Sequence, residues 1–131
     1  MDQRTIRAKE RILVVDDCPD NLFLMQLILE THGYEVEVAN SGREALRKVG
    51  SRRMDLILLD LMMPEMNGYE VIKHLQERNL PFVPIFIVTA NKYVTKKEAH
   101  AAGANDIIFK PVDINILLTK IAKFLDIEAT S

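Results

Sequence analysis

The stretch that decides the fold is Leu56-Ile57-Leu58-Leu59-Asp60-Leu61-Met62-Met63-Pro64-Glu65-Met66-Asn67-Gly68. Four consecutive apolar residues, Leu56 to Leu59, form the pattern of a strand buried on both faces. One carboxylate, Asp60, then stands where that strand ends. Asn67-Gly68 opens the next helix. A charge directly after a buried strand either marks the strand end or sits in the crevice at the carboxyl ends of a parallel sheet, where open α/β folds place their chemistry. The rest of the chain decides between the two.

Upstream, Arg11 to Val15 reads as strand one, apolar from Ile12 and stopped by Asp16-Asp17. Pro19 suits the first turn of helix one, with Asp17 or Cys18 as cap, and Gly33 ends it. Over 34–38 the pattern changes: Tyr34, Val36 and Val38 alternate with Glu35 and Glu37. Period-two alternation predicts a strand with one wet face, at a sheet edge. Ser41 and Glu44 form a capping box for helix two, which buries Ala45, Leu46 and Val49, and 50–53 reads as a basic turn. Downstream, helix three buries Val71, Ile72 and Leu75. Pro81 and Pro84 bound a loop. Ile85 to Val88 is strand four, ending at Thr89-Ala90. Thr95 and Glu98 open a short helix four that Gly103 ends. Ile107 to Phe109 is strand five, followed at once by Lys110-Pro111, a candidate cis bond. Asp113 caps helix five, whose Ile114, Leu117, Leu118, Ile121 and Leu125 share one face.

Strands alternating with helices give an α/β fold with a five-stranded parallel sheet in three layers. The flavodoxin-like (βα)5 arrangement orders its strands 2-1-3-4-5, which places the alternating strand two at the edge. The 131 residues suit one domain. Residues 1–10 are expected to be a loose leader, 11–126 the domain and 127–131 a tail, with no output module attached. The net charge of -2 does not call for nucleic acid or an anionic membrane as a partner. The start of the chain has no apolar stretch of a signal peptide, and a single cysteine fits a reducing compartment, so a cytoplasmic location is expected.

The polar groups at the strand ends are Asp16 and Asp17 after strand one, Asp60 after strand three, Thr89 after strand four and Lys110 after strand five. In the 2-1-3-4-5 order these four strands are neighbours, so the groups converge on one crevice. Two unit charges ~4 Å apart repel by ~4 kcal/mol at an effective dielectric of ~20, which raises a pKa or recruits a cation. A hard, all-oxygen site with room for water suits Mg²⁺, or Mn²⁺. Asp60 is the candidate nucleophile, with Thr89 and Lys110 to neutralise a phosphoryl group in transfer.

Together, Val-Asp-Asp at 15–17, the 60–68 run, Thr-Ala at 89–90 and Lys-Pro at 110–111 resemble the receiver domain of two-component response regulators, over Ile12 to about Leu125. The resemblance implies that Asp60 accepts a phosphoryl group from the phosphohistidine of a histidine kinase or histidine phosphotransfer protein. It implies that Asp17, Asp60 and the main-chain carbonyl of Met62 hold Mg²⁺, with Asp16 acting largely through water. The domain would then be a switch or a phosphorelay intermediate that turns over no external product. One departure stands out. The family carries an aromatic residue three positions before the lysine, and here that residue is Ile107. Phe109 points to the same face by strand alternation. An alternative is therefore an interaction scaffold with weak coupling of phosphorylation to output.

Two surfaces draw notice. On helix one Leu22, Leu24, Met25, Ile28 and Leu29 fill the inward arc, leaving Phe23 and Leu27 outside it as stray apolar residues or a docking patch for the phosphodonor. Helix four carries Lys96, Lys97 and His100 over the small Ala99 and Ala102, which predicts light packing and either a solvated face or an output surface. Two rivals fit less well. A flavin or nucleotide binder needs a phosphate loop after strand one, where Asp16-Asp17 stand. A phosphatase with an aspartyl nucleophile needs a second acid where Met62 stands.

Overall fold

In the computed structural model, residues 9–80 and 82–130 are described, with side chains through 126. Five strands alternate with five helices: β1 (Arg11–Val15), α1 (Pro19–Thr31), β2 (Glu35–Ala39), α2 (Gly42–Ser51), β3 (Leu56–Asp60), α3 (Gly68–Glu77), β4 (Ile85–Thr89), α4 (Lys96–Ala102), β5 (Asp106–Phe109) and α5 (Ile114–Thr130). The strands form one sheet in the order β2-β1-β3-β4-β5, and every pairing is parallel.

The apolar strands have two cores to fill, because alternate side chains point to opposite faces. Leu13, Val15, Ile57, Leu59, Ile85, Ile87 and Ile107 pack with Ala45, Leu46, Val49, Val71, Ile72 and Ala99, so α2, α3 and α4 cover one face. Ile12, Val14, Leu56, Leu58, Phe86, Val88 and Ile108 pack with Leu22, Leu29, Leu117, Ile121 and Leu125, so α1 and α5 cover the other. Phe86 of the sheet meets Phe124 of α5 edge to face at 5.4 Å. β2 is the edge strand, and Glu35 and Glu37 are half-buried on it. Glu35 pairs with Arg11 and Glu37 with Lys48 and Arg52.

Several boundaries and caps differ from the sequence expectation, each for a local reason. β2 lies one residue later than expected, because Tyr34 N–H donates to Leu29 O in the C-terminal turn of α1. α2 runs on through Gly50 and Ser51, so the expected basic turn is partly helix; Arg52 N–H donates to Lys48 O. The Ser41 hydroxyl accepts from Glu44 N–H, but Glu44 returns its carboxylate to Asn40 N–H. The full capping box is instead at α3, between Asn67 and Glu70. Leu75 of α3 is only half-buried. Cys18, one of the two expected caps, takes the N-cap position of α1 without a side-chain cap bond, and its N–H donates to Asp16 Oδ1. Leu24 is a clear misreading: it is 55 % exposed rather than inward, leaving Leu22 and Leu29 as the buried anchors of α1. α5 continues through 127–130, where a tail was expected. Met1 to Ala8 of the expected leader, Pro81 and Ser131 lie outside the described residues.

Candidate functional site

The crevice follows from the register. Val15 lies beside Leu59 and Thr89 beside Phe109, so the ends of β1, β3, β4 and β5 lie side by side. Asp16, Asp60 and Lys110 continue the strand parity of Val14, Leu58 and Ile108, and therefore share one side of the sheet edge. Thr89 continues the opposite parity, that of Ile85 and Ile87.

Asp60 is the last residue of β3 and only 5 % exposed. Its Oδ1 accepts from Met62 N–H at 3.1 Å, and its Oδ2 lies 3.5 Å from Lys110 Nζ. The turn that carries the Met62 amide is tied down by Gly68, whose N–H donates to Leu61 O. A Cβ at Gly68 would stand 2.9 Å from the Asp60 carbonyl oxygen, so glycine lets the start of α3 pack directly on the end of β3. Burial pushes the Asp60 carboxyl above its ordinary value; the Met62 amide and Lys110 oppose this, and Asp16 adds to it.

Lys110 Nζ is closer to Asp16 Oδ2, at 3.2 Å. Burial would lower the lysine, but the Asp60 and Asp16 carboxylates outweigh it and hold it above its ordinary value. The Lys110–Pro111 peptide bond is cis. Asp16 is buried as well, and takes further donors from Cys18 N–H at 2.9 Å and Asn21 Nδ2 at 3.2 Å. Asp17 is exposed. One carboxylate oxygen from each of Asp16, Asp17 and Asp60 falls within a span of 4.8 Å. Thr89 is fully buried, and its Oγ1 accepts from Asn91 N–H at 3.1 Å, which leaves the hydroxyl proton to donate elsewhere. Met62, by contrast, turns its side chain to solvent.

All five side chains expected at the strand ends are therefore brought to one edge of the sheet. Sequence reasoning missed Asn21, which is exposed on α1 yet donates its amide to Asp16. The available signal was its place in the first turn of α1, where side chains lean back toward the helix N-terminus. It also placed Lys110 beside Asp60 without seeing that Asp16 holds it more closely.

A model of the response regulator receiver domain matches residues 12–122. The chain belongs to the response regulator receiver domain family. Among its relatives, the transcriptional regulatory protein ZraR of Escherichia coli O157:H7 is 42% identical over 115 residues, 87% of this chain and 26% of that protein. The receiver thus spans about a quarter of that relative's length. Among solved structures, a response regulator receiver domain protein (CheY-like) from Methanospirillum hungatei JF-1 superimposes with a TM-score of 0.83 at 34% identity, covering 94% of this chain and 98% of that one. The response regulator protein TrrA from Thermotoga maritima, in complex with Mg(2+)-BeF, gives a TM-score of 0.76 at 34% identity, covering 87% and 97%. Receivers are signalling domains of two-component systems, and this chain has their fold and their acidic edge. Among the described residues no helix is long and apolar enough to cross a membrane.

Proposed function

We propose that this receiver accepts a phosphoryl group on Asp60 from a phosphohistidine, on a histidine kinase or a histidine phosphotransfer protein, and serves as a switch or phosphorelay intermediate. The observation that carries the reading is a buried carboxylate at the end of a central strand, within 3.5 Å of a lysine and beside two further carboxylates. In the reaction an Asp60 carboxylate oxygen forms a bond to phosphorus as the P–N bond breaks. The electron pair of that bond returns to the imidazole, which leaves neutral from a ring protonated at its other nitrogen. Lys110 meets the charge on the phosphoryl oxygens, and the Thr89 hydroxyl donates to one of them.

The three carboxylates give an all-oxygen donor set at a partly open edge, which fits Mg²⁺ or Mn²⁺. Asp17, Asp60 and the Met62 carbonyl would hold the ion. When bound, it neutralises the carboxylates and the incoming phosphoryl oxygens. Asp16, occupied by Lys110, Asn21 and Cys18, is the least free of the three carboxylates to do so.

The phosphodonor is proposed to dock on α1, where Phe23 is 70 % exposed and Leu24 and Leu27 are both more than half exposed. A cytoplasmic location and an output partner belong to the same proposal. The test is an intact mass after incubation with Mg²⁺ and acetyl phosphate, for the parent and for Asp60→Asn. A phosphoryl adduct on the parent alone is expected. No adduct on either, or equal adducts on both, would overturn Asp60 as acceptor.

A further inference from the structure

We propose that Asn21 is a positioning residue that lets Lys110 leave Asp16 for the phosphoryl group. This rests on the phosphoacceptor reading of Asp60 and assigns a role to a residue that reading does not use. Asp16 Oδ2 takes two donors, Lys110 Nζ and Asn21 Nδ2, both at 3.2 Å, and Asp16 Oδ1 takes a third, Cys18 N–H at 2.9 Å.

Before phosphorylation the lysine is shared, closer to Asp16 than to Asp60 at 3.5 Å. To meet a phosphoryl group on Asp60 it must give up Asp16. A buried carboxylate stripped of its donors is costly, and Asp16 is 7 % exposed. Asn21 acts on the same oxygen that the lysine vacates. Its amide is neutral, so it does not compete for the phosphoryl charge, and it comes from α1 rather than from β5, so it stays when Lys110 moves. Cys18 N–H covers the other oxygen. Asp16 therefore keeps one donor on each oxygen after the lysine departs. Without Asn21, Asp16 Oδ2 depends on Lys110 alone among these groups and holds it back.

The side chain reaches Asp16 because Asn21 is the third residue of α1, and Cα–Cβ bonds in a helix tilt toward its N-terminus. That tilt lays the amide over the end of β1.

The test is a double-mutant cycle on the rate of adduct formation with acetyl phosphate at saturating Mg²⁺, using the parent, Asn21→Ala, Lys110→Gln and the double variant. The expected result is a slowing of about tenfold for Asn21→Ala in the parent background and of less than about twofold in the Lys110→Gln background. Titration of each of the first two proteins with Mg²⁺ alone, followed by amide chemical shifts, should give dissociation constants within about twofold of each other. Equal slowing in both backgrounds would show a merely structural effect and overturn the role. Loss of Mg²⁺ affinity in proportion to the rate would overturn it too, placing Asn21 on the metal side. A parent that takes up no phosphoryl group overturns the phosphoacceptor reading itself, whereas a phosphorylated parent matched in rate by Asn21→Ala overturns only the role of Asn21.

Discussion

Asp60 is held in a protonation balance that its neighbours set. Burial raises its carboxyl above the ordinary aspartate value of 3.8, and Asp16 raises it further. The folded chain binds this proton more tightly than the unfolded chain, so the contribution of Asp60 to stability falls as pH rises from the ordinary value through the raised one. At neutral pH without metal the ionised group therefore works against the fold. Asp60→Asn should show a higher urea midpoint than the parent at pH 7 in the presence of a chelator. Mg²⁺ at about a hundred times its dissociation constant should stabilise the parent by about 2.7 kcal/mol and the variant by much less. A parent more stable than Asp60→Asn under chelation, with Mg²⁺ raising both equally, would contradict this balance.

At this scale the sequence was readable wherever a polar residue interrupts an apolar strand. Asp16, Asp60, Thr89 and Lys110 each stand at such a break. Asn21 was not, because an exposed polar residue on a helix shows no partner until the strand end beneath it is known. The pairing of Lys110 with Asp16 was likewise hidden, since it depends on residues 94 positions apart.

The helices differ in how firmly they are held. α5 anchors Leu117, Ile121 and Leu125 in one core. Within α4 only Ala99 is buried among the described residues, so little apolar surface ties it down. Beside α4, Ile107 is 6 % exposed and fixed in the core, while Phe109 is 42 % exposed on the same strand face as Thr89. The face that would read out Asp60 thus carries its aromatic ring at the solvent end of β5.

Helix α1 has the reverse character. Its N-terminal half adjoins the acidic edge, and Phe23, Leu24 and Leu27 face water. A wheel drawn from the sequence set Leu24 inward because it assumed an arc wide enough for five apolar residues. Within α1 only Leu22 and Leu29 are buried, so the exposed apolar surface is larger than the pattern suggested. Phe23→Ala and Leu27→Ala should slow transfer from a phosphorylated histidine phosphotransfer protein by about tenfold or more, the scale of an interface hot spot, and leave the rate with acetyl phosphate within about twofold. Equal slowing with both donors would place the residues in the fold rather than in docking.

For the molecule as a whole, the sheet order brings four strand ends into one row, and the charges fall on that row because each apolar strand stops there. The two-sided burial of β1, β3 and β4 was legible as unbroken apolar runs, and the edge position of β2 as alternation. The caps at Ser41, Asn67, Thr95 and Asp113 and the stop at Gly103 were legible as well, whereas the boundaries at Tyr34 and Ser51 were not, since they are settled by backbone partners that no local pattern reveals. The same architecture singles out one carboxylate. Asp16, Asp17 and Asp60 each bring one carboxylate oxygen within a span of 4.8 Å, yet only Asp60 stands at the end of the central strand β3, next to the end of β4 that carries Thr89. Borohydride reduction of the phosphorylated chain converts an acyl phosphate on aspartate to homoserine, and fragment mass spectrometry locates it. Homoserine at position 60 alone is the result expected. Homoserine at 16 or 17, or its absence from a chain that carries the phosphoryl mass, would contradict the account.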